Sequence, residues 1–158
     1  MAPVREAEVF HRYIIGSITH LLDCLDGLTP EQINWKPPAP ETNSLYALVV
    51  HTMANTEENV LGVVCGLPID RNHDQEFSAA GPSVSSLRAR FLELADEMRR
   101  ELAKLESDAM DSERPHPRRG SITIREVLLV AARHAAEHYG QALLTRDLAL
   151  AQAMPSME

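Results

Sequence analysis

Three histidines in this sequence have the character of ligands to a metal ion. His134 and His138 are separated by one helical turn, so both imidazoles can reach the same cation. The spacing alone is a weak signal, because among 7 histidines in 158 residues chance supplies about 0.3 such pairs. The pair therefore needs a further ligand from elsewhere in the chain before it indicates a site.

His51 is the candidate for that third ligand. It follows Leu48 by three residues, on or beside the apolar face of another predicted helix, and Asn55 and Glu58 continue its own face at helical spacing. One histidine from one helix and two from another can hold a divalent ion and leave a position open, which is typical of a catalytic site. The alternative is three unrelated histidines, each hydrogen-bonded at the edge of a helical bundle.

Apolar residues at steps of three and four mark the helices that must position these histidines. A capping box of Thr123 and Glu126 gives the last helix the strongest start signal. Thr29, Pro30 and Gln32 predict a short additional helix after the first long one. The four long predicted helices cover residues 4–28, 43–65, 83–105 and 123–150.

Two connectors separate these helices. Residues 67–82 are polar and broken, with the length of a bundle crossover, and residues 108–120 form a second loop. His73 and His116 lie in these connectors, and we expect them to be solvated. We expect the same of the loop arginines, unless the loop folds over a site and contacts an anionic ligand; they are Arg114, Arg118 and Arg119.

Four amphipathic helices in one short chain must bury their apolar stripes against one another. The sequence therefore predicts an all-α fold, a four-helix bundle with a long connector between helices 2 and 3. We expect a single domain over residues 1–158.

Composition narrows the range of partners. Aromatic residues make up only 4 %, which favours helix over sheet, and the formal net charge is −8. Such a surface repels phosphate backbones and anionic lipids, so we expect no nucleic-acid partner and no membrane. The partner that we expect for the histidine site is a small-molecule substrate. The two cysteines have no CxxC spacing, and the chain has no secretory signal or long apolar run. We expect a cytoplasmic protein.

Several segments resemble the DinB-like (YfiT-like) superfamily of metal-dependent four-helix-bundle proteins. The most specific is His134-Ala-Ala-Glu-His138-Tyr-Gly-Gln141, paired with a single histidine, His51, on an earlier helix. The other matching segments are residues 28–35 with the prolines that follow, Asn43-Ser44-Leu45, and Gly66-Leu67-Pro68. The superfamily includes bacterial low-molecular-weight-thiol transferases and mycothiol-dependent maleylpyruvate isomerases.

The resemblance implies that His51, His134 and His138 form the metal site. Imidazole ligands suit zinc, nickel, iron and copper, and we expect a divalent ion, zinc or nickel. The resemblance is also compatible with a homodimer. The connector acids, including Glu76, match no motif of a particular thiol subgroup.

Three neutral imidazoles leave the charge of the ion uncompensated, so a bound thiol or water becomes more acidic. A thiol such as bacillithiol, mycothiol or glutathione would make the protein an S-transferase, and water would make it a hydrolase. Glu58 is our candidate catalytic residue, as general base or as an orienting residue, against a surface glutamate as the alternative. Gln141 is expected to hydrogen-bond a ligand or a histidine. The competing interpretation is a non-enzymatic metal-binding or protein-interaction bundle.

Overall fold

A computed structural model describes residues 5–106 and 108–152 of the chain. Within these residues four long helical segments form a bundle, as the sequence predicts, and a small β-hairpin precedes the last helix. No described helix is both long enough and apolar enough to cross a bilayer. The elements are α1 (Arg5–Asp23), α2 (Pro30–Asn34), α3 (Leu45–Thr56), a π-helix (Glu57–Val64), α4 (His73–Glu76), α5 (Ser85–Leu102), a 3-10 helix (Ala109–Asp111), β1 (Glu113–His116), β2 (Gly120–Thr123) and α6 (Ile124–Gln152).

Helix α1 packs most extensively against α6, and their apolar stripes meet in the centre of the bundle. Ile14, Ile18 and Leu21 of α1 are fully buried, as are Val127 and Leu128 of α6. The predicted start of the first helix at residue 4 lies outside the described residues. Its predicted end at residue 28 is too late: α1 ends at Asp23, and the chain then turns through residues 24–27.

Capping boxes begin two of the helices, as predicted. In α2, Thr29 Oγ1 accepts from the Gln32 amide at 3.2 Å, and the Thr29 amide donates to Gln32 Oε1 at 2.9 Å. In α6, the Thr123 amide donates to Glu126 Oε2 at 2.8 Å, and the Glu126 amide donates to Thr123 Oγ1 at 3.2 Å. The second box sets the register of the helix that carries His134 and His138.

The second predicted helix is helical over its expected length but changes type within it. Helix α3 ends at Thr56, and a π-helix continues from Glu57 to Val64. Because π-helical bonds run from residue i to i+5, a π-helix has more residues per turn than an α-helix. This slower rotation keeps Asn59 on the same side as His51 and Asn55, and all three line one cavity.

The hairpin is one of the elements that the sequence did not predict. Strands β1 and β2 pair antiparallel where we expected an irregular loop over residues 108–120, with His116 opposite Gly120. Gly120 has a φ of 71°, in the left-handed region that favours glycine. The hairpin turns His116 inward against the π-helix, so the expectation that this histidine is solvated is wrong: it is buried.

The long connector is also more ordered than its sequence suggests. It contains α4, and it is fastened to the start of the bundle by two hydrogen bonds between Asn34 and the Gly81 backbone, at 2.8 and 3.1 Å. Glu76, in the last position of α4, is buried, whereas its neighbours in that helix are exposed. A buried carboxylate requires partners, and these partners lie at the site described next.

Candidate metal centre

Three histidine nitrogens converge between α3 and α6. His134 Nε2 lies 3.0 Å from His51 Nε2 and 3.1 Å from His138 Nε2. The ligand atoms of all three residues lie within 4.8 Å of one another. His51 is buried, and the other two are partly buried. The geometry therefore brings together the three residues that the sequence identified from two separate helices.

The outer nitrogen of two of these rings is held by a side chain of the protein. His51 Nδ1 lies 2.7 Å from Glu76 Oε2, and His138 Nδ1 lies 2.6 Å from Gln141 Oε1. Because each oxygen can only accept, each Nδ1 carries the proton and donates it. The lone pair of both rings is therefore on Nε2 and is directed at the centre of the cluster.

This arrangement fits a cation better than it fits hydrogen bonds among the rings. Neutral His134 has one ring proton, so it can satisfy at most one of the two lone pairs that face it. Its Nδ1 is buried and has no hydrogen-bond partner among the described residues. Nitrogens about 2.0–2.1 Å from one tetrahedral ion lie roughly 3.3–3.4 Å apart, close to the spacings found here. One divalent ion would satisfy all three lone pairs.

Burial keeps these imidazoles neutral. It lowers the pKa of His51 and His138 below the ordinary value, although hydrogen bonds to Glu76 and Gln141 oppose the effect. Burial, together with charge on the two neighbouring rings, lowers the pKa of His134 to about 3. All three rings are therefore neutral at neutral pH, and neutral imidazole, with one nitrogen free of a proton, is the form that binds metals.

A buried ion-pair network supports His51 from behind. Arg71 Nε and Nη2 donate to the two oxygens of Glu76 at 2.6 and 2.8 Å, and Arg71 Nη1 donates to Glu58 Oε2 at 2.8 Å. Burial favours a raised pKa for Glu76, but hydrogen bonds from Arg71 and His51 outweigh it, and the pKa is lowered. Glu76 is therefore a carboxylate and fixes both the orientation and the tautomer of His51.

The histidine cluster opens into a cavity of about 420 Å³. One wall is a chain of oriented hydrogen bonds. The Arg118 amide donates to His116 Nδ1 at 3.1 Å, so His116 Nε2 carries a proton and donates to Asn59 Oδ1 at 2.9 Å. Asn59 Nδ2 then donates to Asn55 Oδ1 at 3.1 Å. The Asn55 amide group has no acceptor for its own protons among the described residues, which leaves a donor at the cavity wall one helical turn from His51.

Of the other two candidate site residues, Gln141 contacts the histidine cluster and Glu58 does not. Gln141 lines the cavity and accepts the hydrogen bond from His138. Glu58 stands behind the cavity, where its carboxylate accepts hydrogen bonds from Arg71 and from Arg118. Burial favours a raised pKa for Glu58, but these two arginines outweigh it and the pKa is lowered. The roles proposed for Glu58 and Gln141 remain predictions.

The sequence interpretation missed two residues that support the cluster, Glu76 and Arg71. Both lie in the long connector, where no periodic pattern assigns a residue to a face. An exposed side chain was expected for Arg118; it is half-exposed and pairs with Glu58. One sequence signal could have pointed to this pair. Asn72 is a typical N-cap residue, and a short helix that starts there brings Arg71, just before the helix, near Glu76 at its end.

Fold and site together define a helical-bundle protein with a three-histidine cluster that could hold a metal ion. The chain belongs to the DinB superfamily, whose sequence profile matches residues 16–142. The crystal structure of a conserved protein from Enterococcus faecalis is similar in fold, with a TM-score of 0.70 and 16 % identity over 91 % of this chain and 96 % of that chain. No curated protein matches the sequence.

Replacing Glu76→Gln should weaken zinc binding by about 10–100-fold, because His51 loses the carboxylate that orients it and increases its basicity. A competitive titration against a chromophoric chelator at pH 7 measures the affinity, and circular dichroism checks that the variant is folded. Asp74→Asn is the matched control, since that side chain in the same short helix is fully exposed, at 102 %. Equal affinities for Glu76→Gln and the parent would contradict the role assigned to Glu76.

Proposed function

We propose that this protein is a metal-dependent enzyme of the thiol S-transferase type. The observation that carries the proposal is the convergence of three histidine Nε2 atoms on one wall of an accessible cavity. A divalent ion, zinc or nickel, held by His51, His134 and His138 would increase the acidity of a low-molecular-weight thiol, or of water in a hydrolase. A cytoplasmic location, where such thiols are kept reduced, is part of the proposal.

The chain's own residues supply orientation and polarity around the cluster. Glu76 and Gln141 each hold one imidazole in the tautomer whose lone pair faces the cavity. The free donor of Asn55 is suited to an oxygen or other acceptor on the substrate. Neither cysteine is suited to act as the thiol itself: burial raises the pKa of Cys24, and that of Cys65 to about 11. The proposal therefore requires a thiol from solution.

We propose that Glu58 is a positioning residue that acts through Arg71. Its carboxylate is shared between Arg71 and Arg118, and its lowered pKa makes it a poor proton acceptor near neutral pH. Together Glu58 and Glu76 hold the buried Arg71 guanidinium from both sides, and Arg71 in turn fixes the carboxylate behind His51. A general base must contact the substrate, whereas Glu58 is not among the residues that line the cavity.

Activity assays on the metal-loaded protein test the proposed reaction. One series pairs glutathione, bacillithiol or mycothiol with the electrophile 1-chloro-2,4-dinitrobenzene, and a second follows hydrolysis of p-nitrophenyl acetate without thiol. We expect thiol-dependent turnover that disappears with a chelator and returns when zinc or nickel is restored. Turnover only in the second series would favour the hydrolase. Absence of metal-dependent turnover in both series would overturn the proposal and favour a non-enzymatic bundle.

The Glu58→Gln variant separates the two roles considered for this residue. As a positioning residue, Glu58 should affect the reaction only through Arg71, so the rate falls while the pH profile keeps its shape. A loss of about 10²–10⁴-fold in kcat, with removal of the acidic limb of the profile, would instead establish a general base. The matched control is Glu57→Gln, which removes a surface pair with Arg90 at 3.0 Å and should leave the rate unchanged.

A further inference from the structure

A second cavity adjoins the metal-centre cavity on the side of α6. Its volume is about 260 Å³, and most of the surface that lines it is apolar. We call it the apolar groove. One wall comes from the proline-containing segment that precedes α3, and the other comes from the second half of α6. The residues that line only the groove are Pro37, Ala39, Thr42, Leu48, Leu144, Thr145 and Leu148.

The groove and the metal-centre cavity border each other. Glu41, Asn43 and Gln141 line both of them. Gln141 Oε1 accepts a hydrogen bond from His138 at 2.6 Å. One residue in the lining of the groove is therefore in direct contact with a ligand of the candidate metal centre. A substrate whose reactive end reaches the three histidines would therefore have the apolar surface of the groove beside it.

Leucines are left uncovered along this groove. Leu144 is 63 % exposed and Leu148 is 40 % exposed. A ligand that covers apolar surface of this kind removes it from water, and this burial favours binding. Helix α6 carries other exposed leucines, such as Leu129 at 57 %, that line neither cavity. The groove leucines therefore differ from the other exposed leucines in their position, because they lie beside the metal-centre cavity.

The wall opposite α6 is held in an unusual conformation. Glu41 has a φ of 58° and is the one described residue other than glycine with a positive φ. Thr42 Oγ1 lies 2.7 and 2.9 Å from the carbonyl oxygens of Pro37 and Ala39, and its single proton, shared between these two acceptors, closes this turn. The turn places Glu41 at the junction between groove and cavity. Conformations of this kind persist where the surrounding structure holds them, often at ligand sites.

We propose that the substrate carries an apolar group that lies in the apolar groove while its reactive end faces the histidine cluster. This inference rests on the proposed function, because it names the class of thiol or electrophile that the site would take. An engineered apolar cavity of about 150 Å³ holds benzene, so the groove has room for a single ring or a short alkyl chain. The polar cavity and the groove together select an amphipathic molecule.

A series of straight-chain alkanethiols, from ethanethiol to hexanethiol, tests the link between groove and metal centre. Binding to the cobalt-loaded protein is followed by the absorption spectrum of the ion. We expect the affinity to rise with chain length, by up to about fourfold per methylene group that enters the groove. Leu144→Gln should reduce this increase. Leu129→Gln, on the same helix but outside the groove, should retain it.

A second measurement is independent of the metal. Titration of the metal-free protein with n-hexanol, followed by leucine methyl NMR, should shift the signals of Leu48, Leu144 and Leu148 and leave Leu129 and Leu143 unchanged. This result stands even if the protein binds no metal, so a failure of the proposed function is distinguishable from a failure of the groove.

Three outcomes would overturn the inference. The first is an affinity for alkanethiols that does not depend on chain length. The second is hexanol shifts of equal size at Leu129 and at the groove leucines. The third is a dimer, detected by sedimentation, that Leu144→Gln dissociates, because the groove would then be covered by a second copy of the chain.

Discussion

The site depends on three imidazole Nε2 atoms that face one another inside a helical bundle. Such an arrangement is unfavourable by itself, because one ring proton on His134 cannot satisfy the lone pairs of both His51 and His138. Protonation would add positive charge to a buried cluster, and the pKa of His134, lowered to about 3, reflects that cost. A metal cation bound by the three rings would turn this arrangement into a stabilising one.

The long helices of the bundle position the three rings. The tautomer of His51 is fixed by a less regular element, the connector. Helix α6 presents His134 and His138 one turn apart, and α3 presents His51 opposite them. The tautomer of His51 depends on Glu76 at the end of a four-residue helix in the connector, held in turn by Arg71. A polar cavity wall depends on a π-helix and a β-hairpin. The candidate site is thus divided between the helices of the bundle and the segments that join them.

Local patterns made the scaffold and the histidines predictable. The capping box of Thr123 and Glu126 and the four-residue spacing from His134 to His138 are contained within single helical turns. Glu76 was not predictable in this way, since its partner His51 is 25 residues away and no periodicity connects a helix to a connector. The same holds for His116, whose partner Asn59 lies 57 residues away across an element boundary. Such contacts are set by tertiary packing.

Metal analysis of the purified, untagged protein tests the central claim most directly. The protein is offered zinc or nickel, freed of unbound ion and compared with a His134→Ala, His138→Ala double variant. His20→Ala is the matched control, because His20 is exposed on α1 and belongs to neither group of side chains that could hold a metal ion. We predict about one equivalent of metal in the parent and in the control, and none in the double variant. No bound metal in the parent, or equal metal in parent and double variant, would contradict the account.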